Sequence, residues 1–168
     1  MKKIASVAFS LLLLGAVAAA ARPDQPVDAQ AAFAKLKTLA GEWQAETPKG
    51  KAQVSYELIS GGSVVLERDS MPGEGAMITA YYLDASQLVL THYCTAGNQP
   101  HMVAQRFDDR SGELEFVLNG GANLNAGPGH MQDARFHLIS ANRFDAEWNF
   151  LKKDNTRITE SLHYTRVK

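Results

Sequence analysis

Apolar and polar side chains alternate along most of this chain, and a pattern of period two predicts β-strands. A helix is predicted before them, from a cap at Asp28 to about Leu39, because Ala32, Phe33 and Leu36 recur at helical spacing. The alternating segments are 42–47, 53–60, 63–70, 76–84, 87–96, 101–108, 113–119, 131–140, 143–152 and 156–166. Short turns separate most of them. The pattern predicts an all-β fold, an antiparallel meander of about ten strands that closes into a barrel, because closure removes exposed sheet edges.

A predicted hairpin at 88–107 contains the only cysteine of the chain and two of its five histidines. We place its turn at 97–100, Gly-Asn-Gln-Pro, because these residues favour turn dihedrals. The resulting cross-strand pairs are Ala96/His101, Cys94/Val103, His92/Gln105 and Leu90/Phe107. The face that carries His92, Cys94 and Gln105 is otherwise apolar, so we assign it to the barrel interior.

Neighbouring segments are predicted to bring further polar groups to this face. The short turn after 76–84 sets the pairs Leu83/Leu88, Tyr81/Leu90 and Thr79/His92. Alternation along 156–166 turns Glu160 inward, where a carboxylate needs a partner or a raised pKa. The segment 63–70 stays open, since either Val64, Leu66 and Arg68 or Val65, Glu67 and Asp69 could face inward.

The N-terminal segment 1–21 has the three zones of a secretory signal peptide: two lysines, an apolar run and a row of alanines. We therefore expect a linker at 22–27 and one domain at 28–168, located in the periplasm or secreted. Removing two lysines from 17 basic residues leaves 15 against 18 acidic residues, a net charge of −3. We expect no nucleic-acid partner, because no basic stripe is present. The apolar run is too short for a stable membrane anchor.

Gly41-Glu42-Trp43, at the start of the first strand, resembles the Gly-x-Trp opening of the lipocalins and the wider calycin group. With about ten strands after it, the chain is similar to nitrobindins and to uncharacterised bacterial lipocalin-like domains. The resemblance implies that Trp43 closes the base of the barrel under an arginine of the last strand, here Arg166. Nitrobindins bind haem through a histidine near the C-terminus, which corresponds to His163, although the alternation turns His163 outward.

Several kinds of chemistry are open to the hairpin residues. His92, Cys94 and His101, with water or His130, could approach the tetrahedral geometry of a metal site. Alternatively, His92 is a buried histidine hydrogen-bonded to Thr79 or Gln105, beside a cysteine that packs as a small apolar residue.

An enzyme could use His92 in two ways. It could activate Cys94 as a nucleophile, or it could work with Glu160 as an acid/base pair. A nucleophilic cysteine needs a lowered pKa and an oxyanion site, and the sequence supplies neither clearly.

The function we expect is binding of a small apolar or amphipathic ligand inside an exported, soluble barrel. The alternatives are a haem- or metal-binding protein similar to nitrobindin and a small enzyme. The candidate ligand-binding residues are His92, Cys94, Gln105, Thr79, Tyr81, His101, Trp148 and Glu160. We assign no catalytic residue, metal or cofactor, and the oligomeric state stays open.

Overall fold

A computed structural model describes residues 26–167, so the predicted signal peptide lies outside the described residues. The elements are α1 (Ala29–Lys37), β1 (Gly41–Thr47), β2 (Gly50–Ile59), β3 (Val64–Ser70), β4 (Met77–Asp84), β5 (Gln87–Tyr93), β6 (Gln99–Asp108), β7 (Glu113–Ala122), β8 (Gly129–Ser140), β9 (Arg143–Lys152) and β10 (Arg157–Arg166). All ten strands run antiparallel to their neighbours, and β10 pairs with β1 to close the barrel. The predicted fold class is therefore confirmed.

The helix α1 covers one end of the barrel, which we call the closed end. Asp28 caps it as predicted, since the backbone N–H of Ala31 donates to its carboxylate at 2.9 Å. The buried face, with Ala32, Phe33 and Leu36, belongs to the same core as the barrel interior. The helix packs against β4 and β5. Within the described part of the chain, no helix is long and apolar enough to cross a membrane.

Aromatic side chains fill the barrel next to the closed end. Trp43 and Phe144 meet edge to face with ring centroids 4.8 Å apart, and Phe144 stacks on Tyr164 at the same distance. Further along, Phe136 lies edge to face with Trp148. The opposite end, where the β1–β2 turn and the β3–β4 loop border an open space, is called the open end.

The register predicted for the central hairpin is wrong. His101 pairs with Thr91 instead of Ala96, a shift of 96 − 91 = 5 residues. The turn comes earlier than expected, because the N–H of Gly97 donates to the carbonyl of Cys94 at 3.0 Å and Gly97 has φ 82°. Gly97 thus ends the turn, while our prediction had it begin the turn.

An odd register shift exchanges the two faces of β6. Met102 is buried against Leu90 in the core, where we had predicted Val103. Gln105 is exposed, next to a bulge between Ala104 and Arg106, so the predicted contact between Gln105 and His92 does not form.

Strand β3 resolves the alternative that the sequence left open. Val65 and Glu67 are buried, Asp69 is half-buried, and all three point into the barrel. The register between β4 and β5, with Thr79 opposite His92 and Tyr81 opposite Leu90, is the one predicted.

Candidate functional site

His92 on β5 is the centre of the candidate site. Its side chain points into the barrel and is only 2 % exposed, as expected from the alternation. The Nδ1 atom lies 2.9 Å from the hydroxyl of Thr79 on the neighbouring strand. The Nε2 atom is buried and has no hydrogen-bond partner among the described residues. Because burial lowers the pKa of His92 to about 4, the ring is neutral at physiological pH.

Glu67 completes a polar network with His92 through Thr79. The hydroxyl of Tyr81 donates to Glu67 Oε2 at 2.6 Å, and the Thr79 hydroxyl lies 3.5 Å from Glu67 Oε1. Tyr56 also lines the cavity next to this network. Burial, and then the negative charge of Asp69, raise the pKa of Glu67 to about 7. Glu67 therefore exchanges its proton close to neutral pH.

The network favours one position for the hydrogen on the His92 ring when Glu67 is ionised. The hydroxyl of Thr79 has one hydrogen, and an ionised Glu67 has none to donate, so Thr79 donates to Glu67. Thr79 then accepts a hydrogen bond from Nδ1–H of His92. Nε2 is left with a lone pair and no hydrogen. When Glu67 is ionised, His92 therefore presents a buried hydrogen-bond acceptor.

His92 and Glu67 line a small cavity in the barrel. Its volume is about 20 Å³, which is room for about one water molecule. Trp148 also lines this cavity, with its ring 5.3 Å from the imidazole of His92. The other lining residues are Val54, Tyr56, Asp69, Met71, Met77, Met131, Ala146, Glu160, Leu162 and Tyr164.

A second and larger space, which we call the vestibule, lies at the open end. Its volume is about 130 Å³, and it shares Met71 and Glu160 with the inner cavity. The remaining lining residues are Thr47, Pro48, Lys49, Pro72 and Glu74, from the β1–β2 turn and the β3–β4 loop. A dry apolar cavity of about 150 Å³ can hold a benzene molecule, so the vestibule is close in size to a single ring.

Two further carboxylates face the inner cavity. The backbone N–H of Met77 donates to Asp69 at 3.2 Å, while burial raises the pKa of Asp69 to about 6. Burial, and then the charge of Glu74, raise the pKa of Glu160. Glu160 faces inward as predicted. Among the described residues that line the inner cavity, none is a lysine or an arginine.

The structure brings together five of the eight residues proposed from the sequence, namely His92 and four others. Thr79 and Tyr81 reach His92 through the hydrogen-bond network, and Trp148 and Glu160 share its cavity.

The other three candidates lie elsewhere. Gln105 is exposed, and His101 lies on the outer face beside the Thr91 hydroxyl at 3.3 Å. Cys94 is half-buried in the β5–β6 turn and does not line the cavity. Burial raises the pKa of Cys94, which opposes a role as a nucleophile.

The proposed metal ligands are not assembled. His101 points away from the cavity that contains His92, and residues 26–167 contain no group of three or more His, Cys, Asp and Glu side chains placed to hold a metal ion. His163, for which the resemblance to nitrobindins implied a haem-ligand role, lies on the outer surface and pairs with Asp145 at 2.8 Å.

Glu67 and Asp69 are the site residues that the sequence did not single out. Both alternations of β3 contain charged residues, so periodicity alone could not choose between them. The neighbouring strand β4 contained information that could have predicted the inward face of β3. Thr79 and Tyr81 were already predicted to face inward, and their hydroxyls need polar partners in a buried face.

Comparison with known proteins gives no further guidance. No model of a known protein family matches the sequence, and no curated protein matches it either. The function is therefore inferred from the residues of the site.

Proposed function

We propose that this protein binds a small molecule at the open end of its barrel. The polar head of the ligand meets His92 and Glu67 in the inner cavity, and the remainder lies in the vestibule. Most of the barrel is filled by its own side chains, so the ligand occupies only a small part of the interior. It reaches only the inner cavity and the vestibule.

One observation carries this proposal: the buried Nε2 of His92 has no partner in the part of the chain that the structure describes. A buried polar atom without a hydrogen bond costs about 1–3 kcal/mol, and proteins satisfy nearly all such atoms. Here the unpaired atom belongs to a residue that lines a cavity adjacent to the vestibule, since the two spaces share Met71 and Glu160. A ligand donor that enters from the vestibule would supply the missing hydrogen bond.

The experiment is a screen of small fragments by ¹H–¹⁵N NMR, with His92→Phe and His101→Phe as matched variants. His101 lies on the outer face of the adjacent strand, so its replacement tests the same chemical change away from the cavity. Binding fragments should shift the resonances of cavity residues such as Val54 and Ala146 in the wild type and in His101→Phe. His92→Phe should stay folded and bind the same fragments about 5- to 150-fold more weakly, which corresponds to about 1–3 kcal/mol.

Two results would contradict the proposal. In the first, no fragment perturbs the cavity residues, which would leave the cavity as a site for a structural water. In the second, His92→Phe binds the fragments as tightly as His101→Phe does.

The lipocalin-like assignment and export belong to the same proposal. Support for the assignment comes from the closed ten-stranded barrel and from the guanidinium of Arg166, which lies 4.0 Å from the centre of the Trp43 ring. Support for export comes only from the sequence of residues 1–21. Mass spectrometry of the protein recovered from the periplasm would test export, since the mature chain should begin near Arg22.

A further inference from the structure

We propose that the ligand is a small primary amine, bound as an ammonium ion by the acidic inner cavity, with an apolar body no larger than a single six-membered ring. This inference rests on the proposed function, because it assigns a ligand class to the same site.

The charge of the cavity is the first reason. Glu67, Asp69 and Glu160 all face it, and none of them has a lysine or arginine partner among the residues that line it. Each is held next to another acid, since the charge of Asp69 raises the pKa of Glu67 and the charge of Glu160 raises that of Asp69. A cation placed among the three carboxylates would offset the energetic cost of their burial and would reduce the repulsion between them.

The hydrogen-bonding character of the cavity is the second, independent reason. Nε2 of His92 is buried and has no partner among residues 26–167, and the network favours it as an acceptor when Glu67 is ionised. A protonated primary amine has three N–H donors and no acceptor. It can therefore donate to Nε2 and to two carboxylate oxygens together, whereas an ether or a carbonyl group would add one more acceptor.

The remaining polar groups that face the site are compatible with a cation. Tyr56 and Tyr164 contribute hydroxyl groups, which can also accept hydrogen bonds. Lys49 is the one cation that lines the vestibule in the described residues, and its ammonium lies 3.9 Å from the carboxylate of Glu74. The charge of Lys49 also acts on Glu160, whose pKa it lowers, so an incoming amine shares the carboxylate of Glu160 with this lysine.

The shape of the two spaces limits the size of the ligand. The inner cavity of about 20 Å³ accepts a group of the size of water, such as an ammonium ion. The vestibule of about 130 Å³ presents Pro48, Pro72 and Met71 to the rest of the ligand. An amine with one ring or a short branched chain fits this combination.

The test compares three probes of one shape and different charge: benzylamine, benzyl alcohol and benzoate. Affinities are measured by NMR titration at pH 8 and low salt with wild type, Glu160→Gln and Glu57→Gln. Glu57 is exposed on β2 and does not line either space, so it controls for a general loss of negative charge. We expect benzylamine to bind at least tenfold more tightly than benzyl alcohol and benzoate to bind most weakly. Glu160→Gln should weaken benzylamine binding at least threefold and leave benzyl alcohol unchanged, while Glu57→Gln should change neither.

Benzyl alcohol binding as tightly as benzylamine, with the same cavity resonances shifted, would overturn the amine class and leave the proposed binding function intact. Failure of benzylamine to shift the cavity resonances would overturn the inference as well. In that case the fragment screen described above decides separately whether the site binds any small molecule. Equal losses in Glu160→Gln and Glu57→Gln would show only a general charge effect and would also contradict the proposal.

Discussion

The guanidinium of Arg166 lies over the ring of Trp43, 4.0 Å from its centre, where the last strand of the barrel meets the first. The same group donates hydrogen bonds to the carbonyl oxygens of Thr38, Ala40 and Ala141. Arg166 thus ties the end of the helix and the β8–β9 turn to the seam that closes the barrel.

This arrangement predicts a loss of stability when Arg166 is replaced. Arg166→Lys keeps the charge but loses the planar fork of donors, so we expect a loss of about 1.5–3 kcal/mol in the free energy of unfolding. Arg157→Lys, on the same strand, is the control, because its exposed ion pair with Asp133 should contribute less than about 1 kcal/mol. Urea unfolding measures both. Equal effects of the two replacements would contradict the special role of Arg166.

The raised pKa of Glu67 predicts an unusual dependence of folding stability on pH. Its pKa rises from an ordinary 4.5 to about 7 on folding, so the folded state holds a proton that the unfolded state has lost between these values. This contribution to stability is complete below about pH 4.5 and is lost as the pH rises through 7. His92 acts in the opposite direction below pH 6.5, because its pKa is lowered to about 4.

Glu67→Gln isolates the contribution of this carboxyl group. Between pH 5 and pH 8, the wild type should lose about 2 kcal/mol of unfolding free energy relative to the variant. Urea unfolding at pH 5, 6.5 and 8 gives the comparison. Parallel pH profiles for the two proteins would mean that Glu67 titrates normally in the folded state.

Binding of an amine should also depend on pH. At pH 5.5, Glu67 and Asp69 are largely protonated, since their pKa values are about 7 and about 6, and at pH 8 they are ionised. An amine similar to that of lysine, with a pKa of about 10, stays charged throughout this range. Benzylamine affinity should therefore rise about tenfold or more from pH 5.5 to pH 8. A flat profile would contradict binding through these carboxylates.

Cys94 should react slowly with iodoacetamide. Burial raises the pKa of its thiol, and the thiolate is the reactive form. We expect labelling of the folded protein at pH 7.5 to be at least tenfold slower than labelling of the same protein unfolded in urea. Faster labelling in the folded state would revive the interpretation of Cys94 as a nucleophile.

The fold could be predicted because each strand alternates and most turns are short. The pairs Thr79/His92 and Tyr81/Leu90 followed from the short turn at 85–86, which leaves little freedom of register. The register of the next hairpin was predicted wrongly because Gly97 fits either the first or the last position of a turn. That choice changes every residue pair between β5 and β6.

The site itself could be predicted only in part. His92 was found because its strand has one clear inward face. Glu67 was not, because β3 has charged residues on both faces. The contact between His92 and Trp148 joins strands that are not neighbours in the sheet, and local periodicity carries no information about such contacts. The volume of the cavity depends on the packing of those same side chains.

The position of the imidazole hydrogen on His92 tests the account most directly, because both the proposed binding and the amine class require Nε2 to be an acceptor. The measurement is the ¹⁵N chemical shift of the two ring nitrogens of His92 at pH 8. Their resonances are identified by comparison with His92→Phe, whose spectrum lacks them. In the wild type, the hydroxyl of Thr79 donates a hydrogen bond to ionised Glu67. The imidazole hydrogen should therefore reside on Nδ1, and Nε2 should carry no hydrogen. In Glu67→Gln the amide can donate to Thr79, which then donates to Nδ1, so hydrogen should move to Nε2. Hydrogen on Nε2 in the wild type at pH 8 would contradict both the proposed binding through Nε2 and the amine class of the ligand.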